Sequence, residues 1–342
     1  MSDFGCDFRL KTINQDFHVT EVPLLPDFDS TPKTYTYLWL EKSNYTTFEA
    51  LEKLQAFFSL NFEDTVAEGL KDEDGVTEQL ISVKKKLTIA DLKNFNRDHS
   101  GLETFIKISL KGFGANPLRA KSLHGNSFRV VVRNLSETEA EKISTYVKNH
   151  RFFSFINYYD NQRFGLPGGP YTTHLIGKAI CEEKWDEAFS LLKNSGNEIP
   201  AGKTGKVAFL ALNSSRVGFY ISSYSSFLWN NAVSAHLASK FTAKNFNFPG
   251  IGQLSLPPSS VTNLPTGIFY ADGFSFDKET FSVSPRKNGR NITLPSTVYV
   301  DSKMPDELFP GKTRLTLSFF LYTGCYATMM VKQIIKKALE EE

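Results

Sequence analysis

The stretch VAEGLKDEDGVTEQLISVKKK, Val66 to Lys86, reads as an extended segment, a polar turn and a second extended segment. Val66 to Leu70 leads in, Lys71-Asp72-Glu73-Asp74-Gly75 turns, and Val76 to Lys86 leads out, so a loop carrying Asp72, Glu73 and Asp74 is held between two pieces of sheet. Upstream, Phe17 and Val19 fall on one strand face, and Tyr35, Tyr37 and Trp39 alternate with Thr36, Leu38 and Leu40. Downstream, residues 104–110 and 127–133 read as strands, and Leu315, Leu317, Phe319 and Leu321 alternate along another near the end. Helices lie between them. Thr46 and Glu49 have capping-box spacing, which predicts a helix with Phe48, Leu51, Gln55 and Phe58 on one side. Ser136 and Glu139 repeat the signal before a stripe of Ala140, Ile143 and Val147. A closing helix is expected from Tyr326, with Lys336 and Lys337 near its C-terminus, where cations favour the helix dipole.

From Gly165 to about Pro295 the texture changes, because stretches such as Leu166 to Pro170 and Leu256 to Ser260 interrupt mixed helical and extended segments. Strand style returns after that, so the reading is an α+β fold with a mostly antiparallel central sheet, split by an insertion. Residues 1–155 and 290–342 form the first domain and 156–289 an inserted α/β domain.

Length and composition permit this. The chain has 342 residues, 41% hydrophobic and 22% charged, as an ordinary globular protein does. No run of about 18 uncharged apolar residues occurs and the N-terminus lacks a signal-peptide pattern, so a cytoplasmic protein without a membrane segment is expected. Cys6, Cys181 and Cys325 are too scattered for a disulfide framework or a zinc site. A net charge of +2 says nothing by itself about nucleic acid, which is recognised through local clusters. Candidate clusters are Lys84, Lys85 and Lys86, and Arg286, Lys287 and Arg290; phosphate contact and a solvated face are both open for them.

A carboxylate on a tight loop beside glycine can serve as nucleophile or base, and the same residues also suit a solvated acidic hairpin. Gly202-Lys203-Thr204 and Gly311-Lys312-Thr313 lack the earlier glycine of a phosphate loop, since Asn197 and Asp306 stand there. His18, His99, His124, His150, His174 and His236 show no metal-ligand spacing.

The segment from Gly69 to Gln79 resembles the catalytic motif G-x-K-D-x-x-A-x-T-x-Q of the TruD pseudouridine synthases, and Asp72 matches its aspartate. Four further stretches resemble that family in the same order: KTINQDFHVTE (11–21), LHGNSFRVVVR (123–133), NYYDNQRFG (157–165) and LYTGCYATMMV (321–331). The resemblance implies a pseudouridine-synthase catalytic domain interrupted by a TruD-type insertion, isomerising uridine in tRNA, at position thirteen in bacterial relatives. The RNA would lie in a cleft between the two domains. Asp72 would attack C1′ of the ribose or remove the C2′ proton. Lys11 matches a lysine beside the carboxylate, Asn126 an asparagine near the base, and Phe128 an aromatic that stacks on the flipped uracil. Phe128 shares a strand face with Val130 and Val132, so a core role is equally readable. Thr77 and Gln79 are expected to shape the loop, and Arg163 to bind RNA or brace the sheet.

Isomerisation implies no metal and no cofactor, and no obligate protein partner is implied beyond RNA. The chain departs from the family pattern at Glu73, Gly75, Asp160, Tyr322, Lys332 and Gln333. A paralogue that binds RNA without catalysis, and a glycoside-cleaving enzyme using Asp72 with Asp74, are the rival readings.

Overall fold

The computed structural model describes residues 6–23, 28–118, 123–165, 169–196, 199–261 and 263–340. They fall into two compact units, one of residues 6–153 with 296–324 and one of residues 154–295 with 325–340.

In the first unit the chain forms β1 (Phe17–Pro23), β2 (Tyr35–Ser43), α1 (Thr47–Phe58), β3 (Thr65–Ala67), β4 (Val76–Val83), α2 (Ile89–Asp98), β5 (Phe105–Gly114), β6 (Leu123–Leu135) and α3 (Glu137–Asn149). It leaves through β7 (Phe152–Ile156) and returns through β12 (Thr293–Pro305) and β13 (Thr313–Tyr322). The sheet runs in the order β5-β2-β4-β1-β6-β13-β12-β7, with the short β3 alongside β4. The β1–β4 pair is parallel; the pairs of β4 with β2 and β3, of β2 with β5, of β1 with β6 and of β13 with β6 and β12 are antiparallel.

Register decides which side chains meet. Leu38, Leu40 and Lys42 of β2 lie opposite Ile81, Gln79 and Thr77 of β4. Thr77 lies beside Val19 of β1, Val19 opposite Phe128 of β6, Glu21 opposite Asn126, and Phe128 beside Phe319 of β13. Because side chains alternate across a strand, Lys42, Thr77, Gln79, Glu21, Asn126 and Phe128 all share one face.

Helices α1 and α2 cover the β5–β2–β4 end of that face through Leu51, Leu54, Phe58, Leu92 and Phe95. Each fully buried Leu or Phe of this kind contributes about 1.5–3 kcal/mol. The capping box at Thr46 is present, with Thr46 accepting from the Glu49 amide and Glu49 from the Thr46 amide. The expected face needs one correction: Phe48 is 53% exposed, and the buried stripe is Thr47, Ala50, Leu51, Leu54 and Phe58, which follows the helical repeat from the first turn. The helix after Ser136 buries Ala140, Ile143 and Val147 as read from the sequence.

The second unit contains α4 (Thr173–Cys181), α5 (Trp185–Asn194), α6 (Gly205–Leu210), α7 (Ser214–Lys240), β8 (Lys244–Phe248), β9 (Gly252–Leu256), β10 (Ile268–Asp277), β11 (Ser282–Asn291) and α8 (Ala327–Glu340). Helix α4 packs close on α7, where a Cβ on Gly177 would stand 2.0 Å from the Tyr220 carbonyl oxygen. Hairpin β10–β11 docks on α7 through Ser225, whose Oγ accepts from the Phe274 amide at 2.9 Å.

Helix α8 had been grouped with the first domain, within 290–342, but it clusters with residues 154–295. The reason is polar as well as apolar. Gln333 accepts from the Ile156 amide at 2.9 Å and donates to the Ile156 carbonyl at 2.8 Å, while Met329, Met330 and Ile334 are fully buried.

Candidate active site

The loop between β3 and β4 is irregular, so its shape depends on side chains that reach its backbone. Thr47, in the first turn of α1, accepts from the Lys71 amide at 3.0 Å and donates to Gln79 Oε1 at 2.9 Å; Gln79 Nε2 then donates to the Gly69 carbonyl at 3.0 Å. Lys71 Nζ pairs with Glu21, both nearly inaccessible, and Glu21 also accepts from the Leu80 amide at 2.9 Å. Lys42, fully buried, donates to the carbonyl of Asp72 at 2.8 Å and of Lys71 at 3.4 Å. Gly75 closes the loop against β1, where a Cβ would stand 2.7 Å from the Phe17 carbonyl oxygen.

The Asp72 side chain is 30% exposed, and its Oδ2 lies 2.8 Å from Lys11 Nζ. Lys11 has left-handed backbone (φ 54°), and its ammonium also sits 4.1 Å from the centre of the Phe17 ring. The turn that carries Lys11 is tied down by Asp16, which accepts from the Thr12 and Ile13 amides at 3.1 and 3.2 Å. Asp16 in turn binds Arg133 Nε at 2.8 Å, and Arg133 reaches Asp306 at 2.8 Å, all of them buried.

Phe128 is 8% exposed, stacked on Phe319 with ring centres 5.5 Å apart and tilted against Phe17 at 5.8 Å. Aromatic packing of this kind suits a core residue. Asn126 Oδ1 and Thr77 Oγ1 are buried and have no hydrogen-bond partner among the described residues. Such atoms are uncommon in a native structure and call for a partner from outside the chain or a water. Asp72 with Lys11, and Asn126, Thr77 and Phe128 on the sheet beneath, thus gather at one place.

Residues 1–199, more than half of the chain, match the family model for tRNA pseudouridine synthase D (TruD). The chain belongs to the TruD family. A tRNA pseudouridine synthase D of Leptospira interrogans is 25% identical over 97% of both chains, and one of Sulfurimonas denitrificans 25% over 99% of this chain and 98% of its own. The human pseudouridylate synthase 7 homolog is 32% identical across 49% of this chain, a span that is 24% of its own length. A solved structure described as the tRNA pseudouridine synthase D of Methanosarcina mazei superimposes with a TM-score of 0.63 at 18% identity, covering 98% of this chain and 96% of that one, and so shares its fold.

Several other residues singled out in this TruD-family sequence are engaged locally. Arg163 donates to Ser222 at 2.8 Å and Ser226 at 3.2 Å and lies over Phe219, so it braces helix α7 and not the central sheet. Arg290 is held by Asn157 through contacts of 2.9 and 2.6 Å and stacks over Tyr159. Lys85 donates to the Phe58 carbonyl at 2.7 Å, at the C-terminal end of α1. Lys84 and Arg286 are exposed.

Two departures from the family pattern meet each other. Asp160, fully buried, accepts from Lys332 Nζ at 2.6 Å and from Thr328. Burial alone would raise its carboxyl, and Lys332 with Thr328 turn it below the ordinary aspartate value.

On the opposite face of the sheet, His18, Glu41 and Glu78 bring one ligand atom each to within 4.8 Å of one another. They come from three strands, which is why no spacing in the sequence announces them. Lys107 at 3.2 Å already offsets Glu41, and His18 lies 3.7 Å from Glu78. Sequence reasoning also passed over Lys42 and the roles of Glu21 and Phe319. Lys42 had a readable signal, since it continues the Leu38–Leu40 alternation onto the covered face.

Among the described residues no helix is long and apolar enough to cross a membrane.

Proposed function

We propose that this protein isomerises uridine to pseudouridine in tRNA, with Asp72 as the reacting carboxylate and position thirteen as its target. The observation that carries the reading is the Lys11–Asp72 ion pair, partly open to solvent, above a sheet face on which Asn126 and Thr77 each hide a polar atom without a partner among the described residues. A cation 2.8 Å away favours the ionised carboxylate with which both chemical routes begin.

The uracil must leave the stack to reach such a site, and flipped bases are commonly read by hydrogen bonds and a flat ring. Asn126 Oδ1 suits the imide N–H of uracil, and the flat ring of Phe128 suits its plane. Asp72 then attacks C1′, displacing the uracil nitrogen, or takes the C2′ proton to leave a glycal. The uracil turns and C5 bonds to C1′, releasing the Asp72 carboxylate from C1′ in the first route or with the C2′ proton returned by Asp72 in the second; the C5 proton is lost to solvent and N1 takes one up. The balance needs no redox partner. RNA is the only macromolecular partner this chemistry requires, and the cytoplasm is the compartment proposed for it.

Mapping pseudouridine in the tRNA of cells with and without this protein tests the reading. Loss of the modification at position thirteen alone is the expected result; an unchanged map in all tRNAs would contradict it.

A further inference from the structure

Lys42 is an ammonium group with none of its surface in contact with solvent, on a strand face otherwise given to Leu38 and Leu40. A buried charge is costly unless it is paired and hydrogen-bonded, so the position needs an explanation. Its Nζ donates to two successive carbonyls, of Asp72 at 2.8 Å and of Lys71 at 3.4 Å. The other contacts on this loop reach different atoms: Gln79 takes Gly69, Thr47 takes the Lys71 amide, and Glu21 takes the Lys71 side chain. Lys42 therefore acts on the peptide of Asp72 itself, whose side chain pairs with Lys11.

We propose that Lys42 is a positioning residue for the reaction: its ammonium clamps the Asp72 carbonyl, fixing the direction of the carboxylate. This rests on the reading of Asp72 given above and extends it to a residue that does not touch the substrate. A charged donor makes stronger hydrogen bonds than a neutral one, and three protons let it bridge both carbonyls.

The clamp should depend on pH. Burial lowers the Lys42 ammonium from 10.5 to about 8; Asp72, Glu73 and Glu49 oppose that fall and Lys71 adds to it. The clamp is charged below that value and loses its charge above it, so the single-turnover rate should fall as pH rises through about 8.

The test is single-turnover pseudouridine formation on tRNA between pH 6 and about 9.5, with tRNA affinity measured in parallel, for the wild type, K42M, K42R and D72N. K42M is expected to lose about 10²-fold in rate, the scale of a misplacement near 1 Å, with tRNA affinity within about twofold. K42R, which stays charged, should recover part of that rate and lack the descending limb near pH 8. A wild-type rate that stays level across the range, or K42M within about threefold of wild type, would overturn the proposal. The wild-type profile decides the matter even if a variant does not fold. An inactive D72N beside a fully active K42M would sink this inference alone, whereas a D72N as active as wild type would sink the reading beneath it.

Discussion

Asn126 shows at the scale of one residue how site and scaffold separate. Its Oδ1 is enclosed without a partner among the described residues, which therefore give that atom no hydrogen bond. Asn126→Ala should shift the stability measured by denaturant titration by less than about 1 kcal/mol, while kcat/KM on tRNA falls by at least tenfold. Equal losses in both measurements would mean that Asn126 is structural. Phe128 is harder to divide, because the ring that would meet a base is also packed between Phe17 and Phe319. The sequence left both roles readable for it, because a strand face shared with Val130 and Val132 suits either. Lys42 was legible in principle, since alternation from Leu38 and Leu40 points it inward. Alternation alone does not say that two backbone carbonyls wait there, because the loop that supplies them is irregular and some thirty residues away.

Among the elements, those with strong local chemistry were the easiest to read. The capping boxes at Thr46 and Ser136 start helices where their spacing says they should. The helix α2 has the same device built from Thr88 and Asp91, and the shorter acid makes it a weaker signal in sequence. Helix α7 runs for 27 residues and was hidden by its serines, which are poor helix formers and resemble loop composition. In the structure Ser225 and Ser226 donate back to the carbonyls of Ile221 and Ser222, so tertiary packing overrides their propensity. The turn holding Lys11 depends on long-range charge: Arg133 joins Asp16 to Asp306 inside the unit. Arg133→Met leaves two buried carboxylates unpaired and should cost roughly 3–5 kcal/mol of stability, read as a lower denaturation midpoint. An unchanged midpoint would show that the network does not hold the turn.

Taken as a whole, the molecule carries several carboxylates held below their ordinary values. For Asp306, burial raises the carboxyl, and the amides of Asn134 and Leu308 with Arg133 outweigh it; Asp160 behaves likewise beside Lys332. Arg133 brings Glu307 down to about 2, although that side chain is half exposed and adds little. Groups with lowered folded values contribute stability that is complete above 3.8 for aspartate and 4.5 for glutamate and is lost as pH falls through the folded values. Burial lowers His174 from 6.5 to about 4, so its neutral folded form loses stability as pH falls below 6.5. The melting temperature should therefore decline from about pH 6.5 and drop more steeply below about pH 4; a level curve from neutrality down to about pH 5 would contradict this. The change in texture after Gly165 suggested an insertion, but nothing local pointed to where α8 packs. Gln333 and Lys332 owe their places to Ile156 and Asp160, more than 170 residues earlier, and no local pattern encodes that.

The central claim is that Asp72 performs the isomerisation. Forming a carbon–carbon bond at C5 expels the hydrogen held there, so the most direct measurement is tritium release from tRNA carrying 5-[³H]uridine, with wild type and Asp72→Asn compared at saturating enzyme. Release by the wild type and none by the variant is expected, with tRNA bound equally well by both. Release by Asp72→Asn at the wild-type rate would contradict it.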